Sequence, residues 1–187
     1  MSKRLVSLDV LRGITIAAMI LVNDPGSWEY VYAPLLHAPW NGCTPTDLVF
    51  PFFLFMVGVA IAIALGKRMD SGVDTTGLVK KIIKRSAIIF LIGMLLSGFP
   101  SYDLSTIRIP GVLQRIAVVY LIRSLIFIKT TWVGQLRWAI GLLVAYWFMM
   151  NFIPVPGVGE PNLEPTTNLA AWLDNVLLGG HLWLSLI

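Results

Sequence analysis

Charge is what this sequence has least of. Only 13% of its 187 residues are Asp, Glu, Lys or Arg, while 57% are hydrophobic and the mean hydropathy is +0.79. A soluble domain carries about twice that charged fraction, so too little polar sequence remains to coat a soluble helix bundle. Cysteine is almost missing. Cys43 stands alone, which excludes an internal disulfide, and no Cys/His cluster has the spacing of metal ligands, so no metal site is expected. Histidine occurs only as His37 and His181. GxGxxG, the Walker lysine loop, HExxH and GxSxG are all absent, which leaves phosphate-loop, zincin and serine-hydrolase chemistry without support. A His-x4-Asp acyltransferase motif is absent too, because the residue five positions after His37 is Gly42. No internal repeat or low-complexity segment is found.

What is present is a series of apolar runs. A bilayer span needs about 20 mostly apolar residues, and five candidates fit approximately: 6–22, 48–65, 82–98, 112–128 and 138–153. The expected fold is all-α, a polytopic membrane helix bundle of about five transmembrane helices forming a single domain over 1–187. The first run is not a cleaved signal peptide. Asp9 and Arg12 interrupt its apolar core and no small-x-small cleavage site follows. Breakers fall between runs: Gly66 after the second, Pro100 after the third, Pro154 and Pro156 after the fifth. Residues 155–167 read as a loop, and 169–178 as a short helix lying on the membrane surface. The apolar ending GGHLWLSLI reads as an interruption rather than a terminus. Small pairs at four-residue spacing, Gly13/Ala17, Gly58/Ala62 and Gly93/Ser97, suit close helix approach in lipid.

The few charges are ordered. Lys3 and Arg4 precede the first run; Lys67, Arg68, Lys80, Lys81, Lys84 and Arg85 fill the second connection; Lys129 and Arg137 lie in the fourth, between the fourth and fifth runs. The connection at 23–47 has no Lys or Arg, and that near 99–108 has only Arg108. The positive-inside rule then places the N-terminus in the cytoplasm and the His37 loop outside it. The net charge of +4 is accordingly a topology signal and not a nucleic-acid footprint. Lys80, Lys81, Lys84 and Arg85 suit lipid headgroups, or else an anionic cytoplasmic ligand.

Chemistry concentrates between the first two runs. His37 is the one imidazole there, the side-chain type suited to proton transfer at physiological pH. Asp47 could orient its ring, and Asn23 could donate to a developing oxyanion. Trp28, Tyr30, Tyr32 and Trp40 could stack on a sugar or form an interfacial aromatic belt. Asp9 and Arg12 share a helix face and either pair with each other or line a ligand path. Arg115, after Gln114, needs a carboxylate, a carbonyl or a ligand phosphate; Asp9 and Asp47 are candidate partners. His181 has no assigned role. A transporter or channel subunit, or a non-catalytic assembly partner, would also suit intramembrane charge and small-residue helix faces.

The stretches SLDVLRGITIAAMILVNDPG, LLHAPWNGCTPTDLVFPFFLFMVGVAI and RIPGVLQRIAVVYL resemble the heparan-α-glucosaminide N-acetyltransferase family. HAPWNGCTPTDLVFPFF is the specific part. SLDVLRG is shared with the broader membrane acyltransferase-3 family, which usually has a His where this chain has Asn23. The resemblance runs in order through most of 4–121 and implies a larger membrane unit of which this is the N-terminal half. It implies acetyl transfer from cytoplasmic acetyl-CoA to an amino sugar across the membrane. His37 falls on the family's catalytic histidine, Asn23 on its supporting asparagine and Asp47 on the motif's acidic position. Trp28, Trp40 and Asn41 are then expected to bind the acceptor, and Asp9, Arg12, Gln114 and Arg115 the acetyl-CoA. The imidazole would act as base on the amine, with a covalent acetyl-His route as the alternative. Family members are commonly homodimers. The short basic start, without the lumenal domain of animal members, points to a bacterial inner membrane.

Overall fold

The computed structural model describes residues 5–72, 74–100, 102, 103, 105 and 107–182. Lys3 and Arg4, used for the expected topology, lie outside the described residues. Among the described residues six α-helices run in order: α1 (Val6–Asn23), α2 (Pro45–Asp70), α3 (Thr75–Gly98), α4 (Val112–Lys129), α5 (Trp132–Phe152) and α6 (Leu169–Leu178). A 3-10 turn, Ala33–Leu35, interrupts the first connection. No strand occurs among the described residues, so the all-α expectation holds. Each of the five expected apolar runs lies within a helix or one residue beyond it. By length and composition α1, α2 and α5 can cross a membrane, which makes this a membrane protein. The count of five spans is approximate, because charges in α3 and α4 interrupt their apolar windows.

Helix boundaries follow local chemistry. Gly66 does not end α2; the helix continues to Asp70, and Gly72, at φ +67°, is the residue that turns the chain. Lys67 and Arg68 therefore sit in the last turn of α2, where cations suit the helix dipole. Only residues 71–74 remain as connection, and Lys80, Lys81, Lys84 and Arg85 belong to α3. Asp74 caps α3 by accepting from the amides of Thr76 (3.1 Å) and Gly77 (2.9 Å). Likewise α5 starts at Trp132, not 138, because Thr131 caps it through the Gly134 amide, 3.5 Å away.

The chain divides into two compact units, 1–64 and 65–187. In the first, the Thr15 hydroxyl donates to the Leu11 carbonyl at 2.8 Å and lies 4.0 Å from Met56 Sδ. Thr15, Met56 and Ile61 are buried there. In the second, α3 and α4 pack antiparallel along a seam of small and polar residues. The Ser86 hydroxyl donates to the Ala117 carbonyl at 2.8 Å, and Gln114 Nε2 donates to Ser97 Oγ at 3.2 Å. A Cβ added at Gly93 would sit 2.7 Å from Gln114 Oε1, so the glycine makes room for that amide. The Gly93/Ser97 pair thus serves helix approach as expected. Among the described residues, a Cβ at Gly13 or Gly58 meets nothing within 4 Å.

Candidate active site

The site is assembled by the first turn of α2. Thr44-Pro45-Thr46-Asp47 is a helix-start sequence, with proline at the first helical position and a carboxylate at the third. Asp47 Oδ2 reaches back to accept from the Thr44 amide at 2.8 Å and from the Ala38 amide at 3.2 Å. The Thr44 hydroxyl lies 3.0 Å from the same oxygen and 2.7 Å from the Leu36 carbonyl, and its single proton serves one of them at a time. The Thr46 hydroxyl donates to the Pro34 carbonyl at 3.3 Å. Gly42, at φ +131°, closes the loop in a conformation that other residues rarely adopt.

The second oxygen of Asp47 is left for His37. Oδ1 stands 2.6 Å from His37 Nδ1. Facing a carboxylate, Nδ1 carries the proton, so the neutral ring keeps its lone pair on Nε2. The His37 side chain is 67% exposed against 27% for Asp47. The carboxylate is fixed by its loop, the ring is fixed by the carboxylate, and the free edge of the ring is open. This arrangement can accept a proton and can hold the resulting imidazolium.

The catalytic-domain model described as heparan-alpha-glucosaminide N-acetyltransferase matches residues 4–174. The chain belongs to the heparan-alpha-glucosaminide N-acetyltransferase family. The human heparan-alpha-glucosaminide N-acetyltransferase is 32% identical to it, over 96% of this chain and 32% of the relative. The mouse protein is 31% identical, over 97% of this chain and 33% of its own length. The chain thus spans about a third of the length of the curated relatives it matches.

Asn23 ends α1, and its Nδ2 donates to the Met19 carbonyl at 2.7 Å; it makes no hydrogen bond to the dyad. Trp28, Tyr30, Tyr32 and Trp40 are each at least half exposed on the 24–44 connection, and Asn41 is exposed beside Trp40. Arg12 and Asp9 form an ion pair with each other at 3.7 Å, one turn apart on α1. Gln114 is buried and spends its amide N–H groups on Ser97 Oγ and, at 3.7 Å, Met94 Sδ. Arg115 is exposed in the first turn of α4.

Three groups went unassigned in the sequence. Thr44 was legible from its spacing to Asp47, the pattern of a capping box. Arg108 lines a cavity of about 260 Å³ with Ser97, Gln114 and the start of α4. Burial first, and then the charge of Arg115, holds its guanidinium below the ordinary value. His181 ties the segment after α6 to the chain before α4: its Nδ1 lies 2.9 Å from the Ile107 carbonyl, and its own carbonyl accepts from the Ile109 amide at 3.2 Å. No sequence signal announces that tie, because it joins residues 74 positions apart.

Proposed function

We propose that this chain forms part of a membrane enzyme that transfers an acetyl group from acetyl-CoA to the amine of a glucosamine-type sugar. His37 is the general base and Asp47 its positioning residue. One observation carries the reading: the 2.6 Å contact that fixes Nδ1 on the carboxylate and leaves Nε2 open. A glucosamine ammonium must lose a proton before it can attack, and an imidazole suits that removal near neutral pH. Acetyl-CoA supplies a thioester whose C–S bond breaks as the C–N bond forms. Nitrogen sheds two protons in all: the first, taken before attack, leaves His37 for solvent, and the second, taken as the amide forms, passes from His37 to the departing thiolate. Asp47 holds the ring while it is charged.

Asn23 keeps one amide hydrogen beyond the one given to Met19, and that hydrogen is the donor for a developing oxyanion. Trp28, Trp40 and Asn41 are the exposed groups suited to the face and hydroxyls of a sugar. The donor's phosphates require cations. Arg115 is exposed, and Arg12 has one guanidinium edge on Asp9 and others left over, so both fit a phosphate-bearing ligand. Gln114 supports the α4 start beside Arg115. The charge alternation favours a donor entering from the cytoplasm and an acceptor bound outside it.

The test is transfer of labelled acetyl from acetyl-CoA to a panel of amino sugars, in membranes carrying the full-length protein. His37→Gln is expected to lower the rate by on the order of 10²-fold or more with the protein level unchanged. A His37→Gln protein as fast as wild type would remove the assignment.

A further inference from the structure

The N-terminal half of α3 has a charge pattern that the catalytic reading does not use. At about 100° per residue, Lys80, Lys84, Lys81 and Arg85 fall within one arc of about 140°. Ser86 and Gly93, the buried residues that meet α4, lie roughly 160° from the middle of that arc. All four cations are exposed, and the ion pairs among the described residues, Asp9–Arg12 and His37–Asp47, include none of them. The nearest carboxylate in sequence, Asp74, is occupied by the Thr76 and Gly77 amides.

The same face then changes character without a break. Ile88, Leu91, Ile92 and Leu95 continue the arc of the cations, and each is 46–60% exposed. From Arg85 to Leu95 the helix rises about 15 Å, which is about half the ~30 Å hydrocarbon core of a bilayer. A cationic head section followed by one leaflet's depth of apolar surface is the outline of a phospholipid. Arg85 is fixed at the top of the head section, where its guanidinium carbon lies 5.3 Å from the centroid of Tyr120 on α4. That contact uses a face of the guanidinium and leaves its N–H edge for a phosphate.

We propose that this face of α3 is a binding site for an anionic phospholipid. The phosphate is held by Lys81, Lys84 and Arg85, and an acyl chain lies along Ile88, Leu91, Ile92 and Leu95. The assignment is independent of the acetyltransfer reading.

The test is native mass spectrometry of the full-length protein, exchanged from detergent with phosphatidylglycerol or phosphatidylcholine of matched chains. Wild type is expected to retain phosphatidylglycerol selectively. Each cation contributes about fivefold, so K81Q/K84Q/R85Q is expected to weaken retention by on the order of 100-fold. The charge-keeping K81R/K84R and the control K67Q/R68Q/K129Q, on α2 and α4 instead of this face of α3, are expected to retain it. If the triple variant does not fold, wild type alone decides: equal retention of the two lipids overturns the proposal. Displacement by millimolar glycerol phosphate, which has a headgroup but no chains, would mark a site for free anions and overturn it as well. Loss of retention in the control equal to that in the triple variant would show general charge attraction and no site.

Discussion

At the scale of single residues, Asp47 does two things with two oxygens. Oδ2 closes the start of α2 and the loop before it; Oδ1 orients His37. The two roles separate by substitution. Asp47→Asn keeps the size of the side chain but can offer an N–H to the ring. A ring that accepts at Nδ1 carries its proton on Nε2, and the open edge then has no lone pair. We expect kcat for acetyl transfer to fall by on the order of 10²-fold, with KM less affected. Nitrogen chemical shifts of His37 should report the exchanged tautomer; an unchanged tautomer with unchanged kcat would count against the positioning role. Thr44→Val removes the hydroxyl bridge to Leu36 while leaving the Thr44 amide bonded to Asp47. It is expected to lower thermal stability by about 1 kcal/mol with smaller effects on kcat than Asp47→Asn.

At the scale of elements, the α3–α4 seam is built on absent side chains. Gly93→Ala puts a Cβ 2.7 Å from Gln114 Oε1 and 2.9 Å from Leu113 Cβ, and Gln114 is already held by Ser97. Overpacking of this kind costs about 1–3 kcal/mol, whereas Gly58→Ala meets open space and is expected to leave thermal stability close to wild type. Comparing the two melting temperatures checks the pair. The cap of α3 makes a pH prediction. The Gly77 and Thr76 amides hold the Asp74 carboxyl below its ordinary value of 3.8. Its contribution is therefore complete above that value and is lost as pH falls through the lower folded one. Hydrogen exchange at Thr76 and Gly77, corrected for intrinsic rates, should accelerate in acid in wild type and lose that pH dependence in Asp74→Ala. Apolar runs of membrane length made the helices legible, while their ends were not, because caps such as Thr131 and Asp74 override hydropathy. Gly66 failed as a stop since it keeps helical backbone, and Gly72 takes the left-handed turn.

At the scale of the whole molecule, the same division appears between what a pattern shows and what only folding brings together. His37 and Asp47 were legible as a pair because ten residues of loop and one helix turn are local. The tie from His181 to Ile107 was not, nor was the inward turn of Gln114, since both depend on packing between distant segments. Membrane sidedness is a property of the entire chain, written in where Lys and Arg fall, and it fixes which compartment the open edge of His37 faces. Cys43 provides the reporter. It is the one cysteine of this sequence, exposed and four residues before Asp47, in the connection that lacks Lys and Arg. A membrane-impermeant maleimide applied to intact cells is expected to label the Cys43 peptide without permeabilisation. Reagent applied to inverted vesicles should fail to reach it. The opposite result would put His37 on the cytoplasmic face, and acetyl transfer to an acceptor outside the cytoplasm would have to be abandoned even if the His37–Asp47 dyad proved to be catalytic.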